Sequence, residues 1–207
     1  MILLIELYPI SYQRNKYPWI VALVDASGTN QFCGGTLVAS KYVITAAHCM
    51  FFDQNAQQPL AATNVKVRIG DHDLDATGET TIPEKTISVS KIINHPGYNP
   101  AGGSLNNDIA ILELAEQVDL NVYTPACLAQ TNDTATFYGK IAQVYGWGTT
   151  SSGGASSSKL LEVDVPVVTP EQCATSMGPM MEGQICAGGE EGKDSCQVLN
   201  INGFYSG

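Results

Sequence analysis

Residues 33–49 read Cys33-Gly34-Gly35-Thr36-Leu37-Val38-Ala39-Ser40-Lys41-Tyr42-Val43-Ile44-Thr45-Ala46-Ala47-His48-Cys49. The stretch from Thr36 to Thr45 holds a short apolar run rich in β-branched residues, which predicts strand. Ala46 to Met50 reads as a single helical turn. Small residues beside His48 let the backbone fold tightly and leave the imidazole at a strand end. A neutral imidazole placed there can act as a general base near pH 7. For a lone histidine at a strand end, satisfaction by a backbone carbonyl is the favoured reading, so this stretch alone predicts strand more firmly than chemistry.

Outward from it, short apolar runs recur between turn residues: Trp19 to Val24, Val65 to Gly70, Thr86 to Ile93, Ile109 to Leu114, Lys140 to Val144 and Leu160 to Val168. Breakers separate them at Asp25 to Asn30, Asp75 to Glu79, Pro96 to Asn107 and Thr149 to Ser158. The last carries the Ser/Gly-rich tract 151–158, a flexible surface loop in composition. Pro170 to Met177 reads as a helix, with Thr169 placed to cap it and Pro170 suited to its first turn. No internal repeat is seen. The pattern predicts antiparallel β structure, a barrel or a sandwich.

Composition narrows the class. The chain has 207 residues, 44% hydrophobic and 14% charged, which argues against global disorder. Its formal charge is −10, and its 10 Lys and Arg form no run, which argues against a nucleic-acid surface. No apolar stretch reaches the roughly 18 residues of a membrane helix. Met1 to Ile10 begins apolar, but Glu6 interrupts it and no basic segment or small-x-small site accompanies it, so no signal peptide is read. The 6 cysteines, at 33, 49, 127, 173, 186 and 196, form no CxxC pair, which weakens a zinc or redox-motif reading. A bridge framework would imply an oxidising compartment, with the pairing open at this level.

Two more stretches carry candidate chemistry. Asp108, in Asn107-Asp108-Ile109-Ala110, enters an apolar strand, where a carboxylate is costly unless paired. Beside an imidazole it would fix the tautomer; otherwise it simply closes the preceding loop. Ile185-Cys186-Ala187-Gly188-Gly189 leads to Gly192-Lys193-Asp194-Ser195-Cys196-Gln197, an acid in a Gly-rich loop.

In order and spacing, these pieces, together with Tyr17-Pro18-Trp19 and Gly146-Trp147-Gly148, strongly resemble the trypsin-like serine endopeptidase family from about Tyr17 to Gln197. The resemblance implies an all-β fold of two packed antiparallel six-stranded barrels with the active site between them, the second barrel incomplete here. It divides the chain into an atypical segment 1–16, an incomplete protease domain 17–197 and a non-family tail 198–207. It marks His48 as general base and Asp108 as its orienting acid. It places Asp194 at the base of a pocket for Arg or Lys side chains, with Ser195 and Gln197 beside it as substrate-binding residues. It implies bridges Cys33–Cys49 and Cys173–Cys186. It implies polypeptide substrates or protein inhibitors as partners, a secreted monomer, no cofactor, and no nucleic acid or membrane.

The sequence also departs from the pattern. After Cys-Gln the family reads Gly-Asp-Ser-Gly-Gly-Pro, whereas Gln197 is followed by Val198-Leu199-Asn200. A carboxamide at the nucleophile position cannot attack an acyl carbon usefully. Ser195 precedes Cys196 and is no substitute. The family's activated N-terminus, Ile-Val-Gly-Gly, is also missing, and Cys127 and Cys196 have no evident partners. Both breaks fit a truncated or intron-retaining transcript, since valine codons begin GT and Gln13 fits a CAG acceptor. The expectation is a family endopeptidase whose chain as written is inactive. The alternative is a catalytically dead homologue serving as a binding or regulatory module. Asp71-His72-Asp73-Leu74-Asp75 superficially suggests a calcium loop, and some family members bind calcium in this region through acids. Ala76 and Ile82 stand where an EF-hand needs Gly and Glu, so the stretch is read as a solvated acidic turn with no metal. His95 is read as surface loop.

Overall fold

The computed structural model describes residues 15–51, 58–102, 106–131, 133–149, 155–177, 180, 183–188 and 199–200. The chain divides into two compact units, one ending at Ala126 and the other starting at Cys127. The first unit holds β1 (Ile20–Asp25), β2 (Gln31–Ala39), β3 (Tyr42–Thr45), β4 (Val65–Ile69), β5 (Lys85–Asn94) and β6 (Ala110–Leu114). They close into an antiparallel barrel in the order β1-β2-β3-β6-β5-β4. Closure leaves these strands no free edge.

Alternation explains the barrel. Val65, Val67 and Ile69 on β4 are buried, as are Ala110, Leu112 and Leu114 on β6. The residues between them point outward. β1 is buried on both faces, which explains why Ile20 to Val24 reads as an unbroken apolar run. The turn from β1 to β2 is organised by Asp25, whose carboxylate accepts from Gly28 N at 3.1 Å and Asn30 Nδ2 at 2.6 Å. A hydrogen bond from Ser27, and then one from Asn30, hold its carboxyl well below the usual range.

β2 begins earlier than the sequence pattern predicts. Gly34 and Gly35 look like breakers but lie inside the strand. A Cβ at Gly35 would lie 2.8 Å from Val43 Cγ1 and 3.0 Å from the Ile44 carbonyl. Glycine is there for the close approach of β3.

The second unit is a sheet of β7 (Ile141–Gly146), β8 (Leu161–Val168), β9 (Gln184–Ala187) and the two-residue β10 (Leu199–Asn200), in the order β10-β9-β8-β7. Phe137, Ala142, Val144, Val165, Val167, Ile185 and Ala187 form its core. The sequence pattern missed β9, which is short and lies between Gly183 and Gly188, both at positive φ. The expected helix is present as α1 (Pro170–Met177). Gln172 N donates to Thr169 Oγ1 at 3.4 Å, and Thr169 N donates to Gln172 Oε1 at 3.0 Å. The cap is therefore reciprocal. The Cys173–Cys186 disulfide ties α1 to β9. The architecture is all-β, with one closed barrel and a partial second sheet. No helix among the described residues is long and apolar enough to cross a membrane.

Candidate active site

β3 and β6 are antiparallel neighbours, with Thr45 opposite Ala110. The chain leaving β3 and the chain entering β6 therefore meet at one end of the barrel. Thr45 Oγ1 donates to the Gly34 carbonyl at 2.7 Å, fixing the end of β3. A 3-10 turn over Ala47–Met50 follows, where sequence predicts a helical turn. Ala46 and Ala47 are buried, so small side chains are what the tight turn accommodates. The turn presents His48.

On the opposite chain, Asp108 follows Asn107, whose φ is +57°. That left-handed conformation is one that asparagine tolerates better than most residues. The loop is braced on both sides of Asp108. Asn107 Nδ2 donates to the Gly97 carbonyl at 3.2 Å, and His95 N donates to the Ile109 carbonyl at 2.9 Å. Gly97 N in turn donates to His95 Nδ1 at 3.1 Å. His95, exposed in the loop after β5 as expected, also takes part in this brace.

The two expected partners, 60 positions apart in sequence, are in contact. Asp108 Oδ2 lies 2.6 Å from His48 Nδ1, and Oδ1 accepts the His48 backbone N–H at 2.7 Å. The Asp108 side chain is 4% exposed and that of His48 27%. A buried carboxylate thus anchors an imidazole that still reaches solvent. Phe51 and Tyr98 pair near them, with ring centroids 5.7 Å apart. Burial, and then the Asp108 charge, push the Tyr98 phenol up. A carboxylate at Nδ1 favours the tautomer with the proton there and the Nε2 lone pair free to accept one. Tyr98 and the Asn107 brace carried no distinctive sequence signal.

Of the remaining predicted positions, Cys33–Cys49 and Cys173–Cys186 are bridged. Cys127 is exposed and free. Asp194, Ser195 and Gln197 lie outside the described residues, as does Cys196. Asn200 lies on β10, where its backbone pairs opposite Gln184.

The acidic stretch after β4 differs from the expected solvated turn. The Asp71 side chain is fully buried, with Oδ2 2.5 Å from Arg68 Nε. Burial pushes its carboxyl up to about 6; Arg68 opposes the rise, and Glu84 and Glu79 add to it. Glu79 Oε1 accepts the backbone N–H groups of His72 and Asp73, each at 2.9 Å. Asp71, Glu79 and Glu84 each offer an oxygen within 4.8 Å of the others, a spacing that a hard cation could share.

A family model described as Trypsin matches residues 10–198. The chain is 36% identical over 197 residues to phenoloxidase-activating factor 1 of Holotrichia diomphalia, covering 87% of this chain and 53% of that protein. It is 33% identical over 190 residues to trypsin I-P1 of Gallus gallus, covering 90% of this chain and 68% of the relative. The structure is similar to that of neuropsin, a serine protease expressed in the limbic system of mouse brain. The TM-score is 0.73 at 28% identity, over 93% of this chain and 81% of neuropsin. The chain spans about half the length of the first of these relatives.

Proposed function

Since this chain belongs to the trypsin family, we propose that it represents a serine endopeptidase domain of the kind that cuts polypeptides after Arg or Lys through an acyl-enzyme, and that the chain as given does not itself turn over. The observation that carries this reading is the contact of His48 with Asp108 at 2.6 Å. It supports His48 as the base that would take the nucleophile's proton and return it to the leaving amine. Asp108 would hold the ring and stabilise the imidazolium. Asp194, with Ser195 and Gln197, would supply the pocket for the basic side chain, a carboxylate being the natural partner of guanidinium or ammonium. Polypeptide substrates or protein inhibitors are the partners this implies. The two disulfides suit an oxidising, extracellular setting.

Val198-Leu199-Asn200 supports the inactive half of the proposal. After Cys196-Gln197 the nucleophile's place falls on Asn200, and no hydroxyl is supplied there. Loss of a nucleophile from a comparable triad removes on the order of a million-fold in turnover. The test is an assay of the purified chain on an Arg-containing chromogenic peptide. The expected result is no turnover above buffer, unchanged in a His48→Ala variant. Turnover that the His48→Ala change abolishes would show an active enzyme and overturn the inactive assignment.

A further inference from the structure

We propose that the Cys33–Cys49 disulfide masks a metal site which, once the bridge is reduced, binds a borderline-soft divalent cation such as Zn²⁺ through Cys33 Sγ, Cys49 Sγ and His48 Nε2. A ring nitrogen of His48 and the two sulfurs lie within 4.8 Å of one another. Cys49 Sγ is 3.6 Å from His48 Nε2. Tetrahedral zinc, with Zn–S near 2.3 Å and Zn–N near 2.05 Å, sets its sulfur and nitrogen ligands about 3.6 Å apart, so that edge already has the required length. Two zinc-bound thiolates sit about 3.8 Å apart, close to the contact distance of two sulfurs once their bond is broken. The backbones at the two cysteines, with Cα atoms 6.1 Å apart, allow that spacing.

The surroundings supply the other requirements. Cys33 is held in β2 opposite Leu23, and Cys49 in the 3-10 turn through its N–H to the Ala46 carbonyl, so neither depends on the bridge alone for its position. Asp108 accepts at Nδ1, the outer-shell carboxylate that metal-bound histidines ordinarily have, and leaves Nε2 beside Cys49 Sγ. The partial exposure of His48 gives the ion an approach, and water would be the fourth ligand.

The chemistry balances. A phosphine reductant gives two electrons to the disulfide and leaves as phosphine oxide with oxygen from water. The sulfurs gain two protons and become thiols. Metal binding then expels those two protons, because thiolates are the ligands. In the bridged chain the sulfurs are bonded to each other and offer only weak lone pairs. Metal binding at Nε2 would occupy the lone pair the base needs. The inference rests on the His48–Asp108–disulfide geometry and stands whether or not the chain descends from an active protease.

The test uses the full chain with Cys127, Cys173, Cys186 and Cys196 changed to serine, titrated with Co²⁺ without oxygen before and after phosphine treatment. The expected result is one equivalent bound only after reduction, with a sulfur-to-cobalt charge-transfer band that Zn²⁺ displaces. His48→Gln should weaken binding at least tenfold, and Asp108→Asn about tenfold to a hundredfold. Zn²⁺ should slow alkylation of Cys33 and Cys49. No band, equal binding to the bridged chain, or equal binding by His48→Gln overturns the proposal. Loss of the β circular dichroism on reduction that zinc does not restore overturns it too.

Discussion

Asp108 grips His48 twice, through Oδ1 to the backbone N–H at 2.7 Å and through Oδ2 to Nδ1 at 2.6 Å. One carboxylate thus fixes both the turn and the ring on it. In Asp108→Asn the amide can satisfy only one of these donors. The amide N–H then faces Nδ1, which can accept it only if the ring carries its proton on Nε2, and the charge-assisted contact is lost. The expected cost is about 1–3 kcal/mol, read from urea unfolding. The downfield proton resonance of the His48 Nδ1–H should disappear. A variant that keeps both the resonance and its stability would show that the double contact does not hold the ring.

The two bridges close loops of 16 and 13 residues. In the chain-entropy model each contributes about 3 kcal/mol, almost independently of where it sits. Cys33→Ala/Cys49→Ala and Cys173→Ala/Cys186→Ala should therefore lose similar stability. The location of the loss should differ. The first pair should raise hydrogen exchange in β1–β3, and the second in α1 and β9. Uniform acceleration across both units by either pair would contradict this.

Gly35 and Gly146 make a matched pair of tests. A Cβ at Gly35 would strike Val43 Cγ1 at 2.8 Å and approach Val21 Cγ2 at 3.2 Å, whereas one at Gly146 meets nothing within 4 Å. Gly35→Ala should cost about 1–3 kcal/mol through overpacking. Gly146→Ala should stay within about 0.5 kcal/mol of the parent. The difference between their denaturation midpoints is the measurement.

What the sequence made legible follows from physics of short range. β-branched runs between turn residues give most of the strands, because alternation and burial leave a local imprint. Thr169-Pro170 gives the helix, because a cap is local. β9 left little imprint, being four residues between two turning glycines. The start of β2 ahead of Gly34-Gly35 left little imprint, because the need for glycine at Gly35 comes from β3 across the barrel. Burial of Asp71 was also unreadable, since its partner Arg68 is near in sequence but the closure around it is tertiary. His48 and Asp108 were paired through family resemblance, since no local rule links residues 60 apart.

Asp71 should leave a signature in the pH dependence of stability. Its folded carboxyl lies at about 6, above the unfolded value near 3.9. Between these pH values the folded chain keeps a proton that the unfolded chain has released. Stability should therefore fall as pH rises from about 4 to 6 and level off above. Asp71→Asn removes the titrating group, so the difference in urea midpoint between parent and variant should shift in the variant's favour across that window. Chelator in the buffer keeps cations from the nearby Glu79 and Glu84. A constant difference from pH 4 to 7 would refute the assignment.

Asn107 offers the sharpest separation of backbone from side chain. Its φ of +57° is a conformation that costs most non-glycine residues about 1–2 kcal/mol, and its amide donates to the Gly97 carbonyl at 3.2 Å. Asn107→Gly keeps the backbone free to turn and deletes only the hydrogen bond, so about 1 kcal/mol should be lost. Asn107→Ala deletes the bond and adds the strain, so it should lose about 2–3 kcal/mol in total. Because Asp108 is the next residue, both variants should also speed exchange of the His48 Nδ1–H, alanine more than glycine. Urea midpoints rank the stability costs, and the proton line width reads the effect on the ring. If alanine proves as stable as asparagine, the left-handed turn does not constrain Asp108, and the mounting of the carboxylate must come from the His95 to Ile109 contact instead.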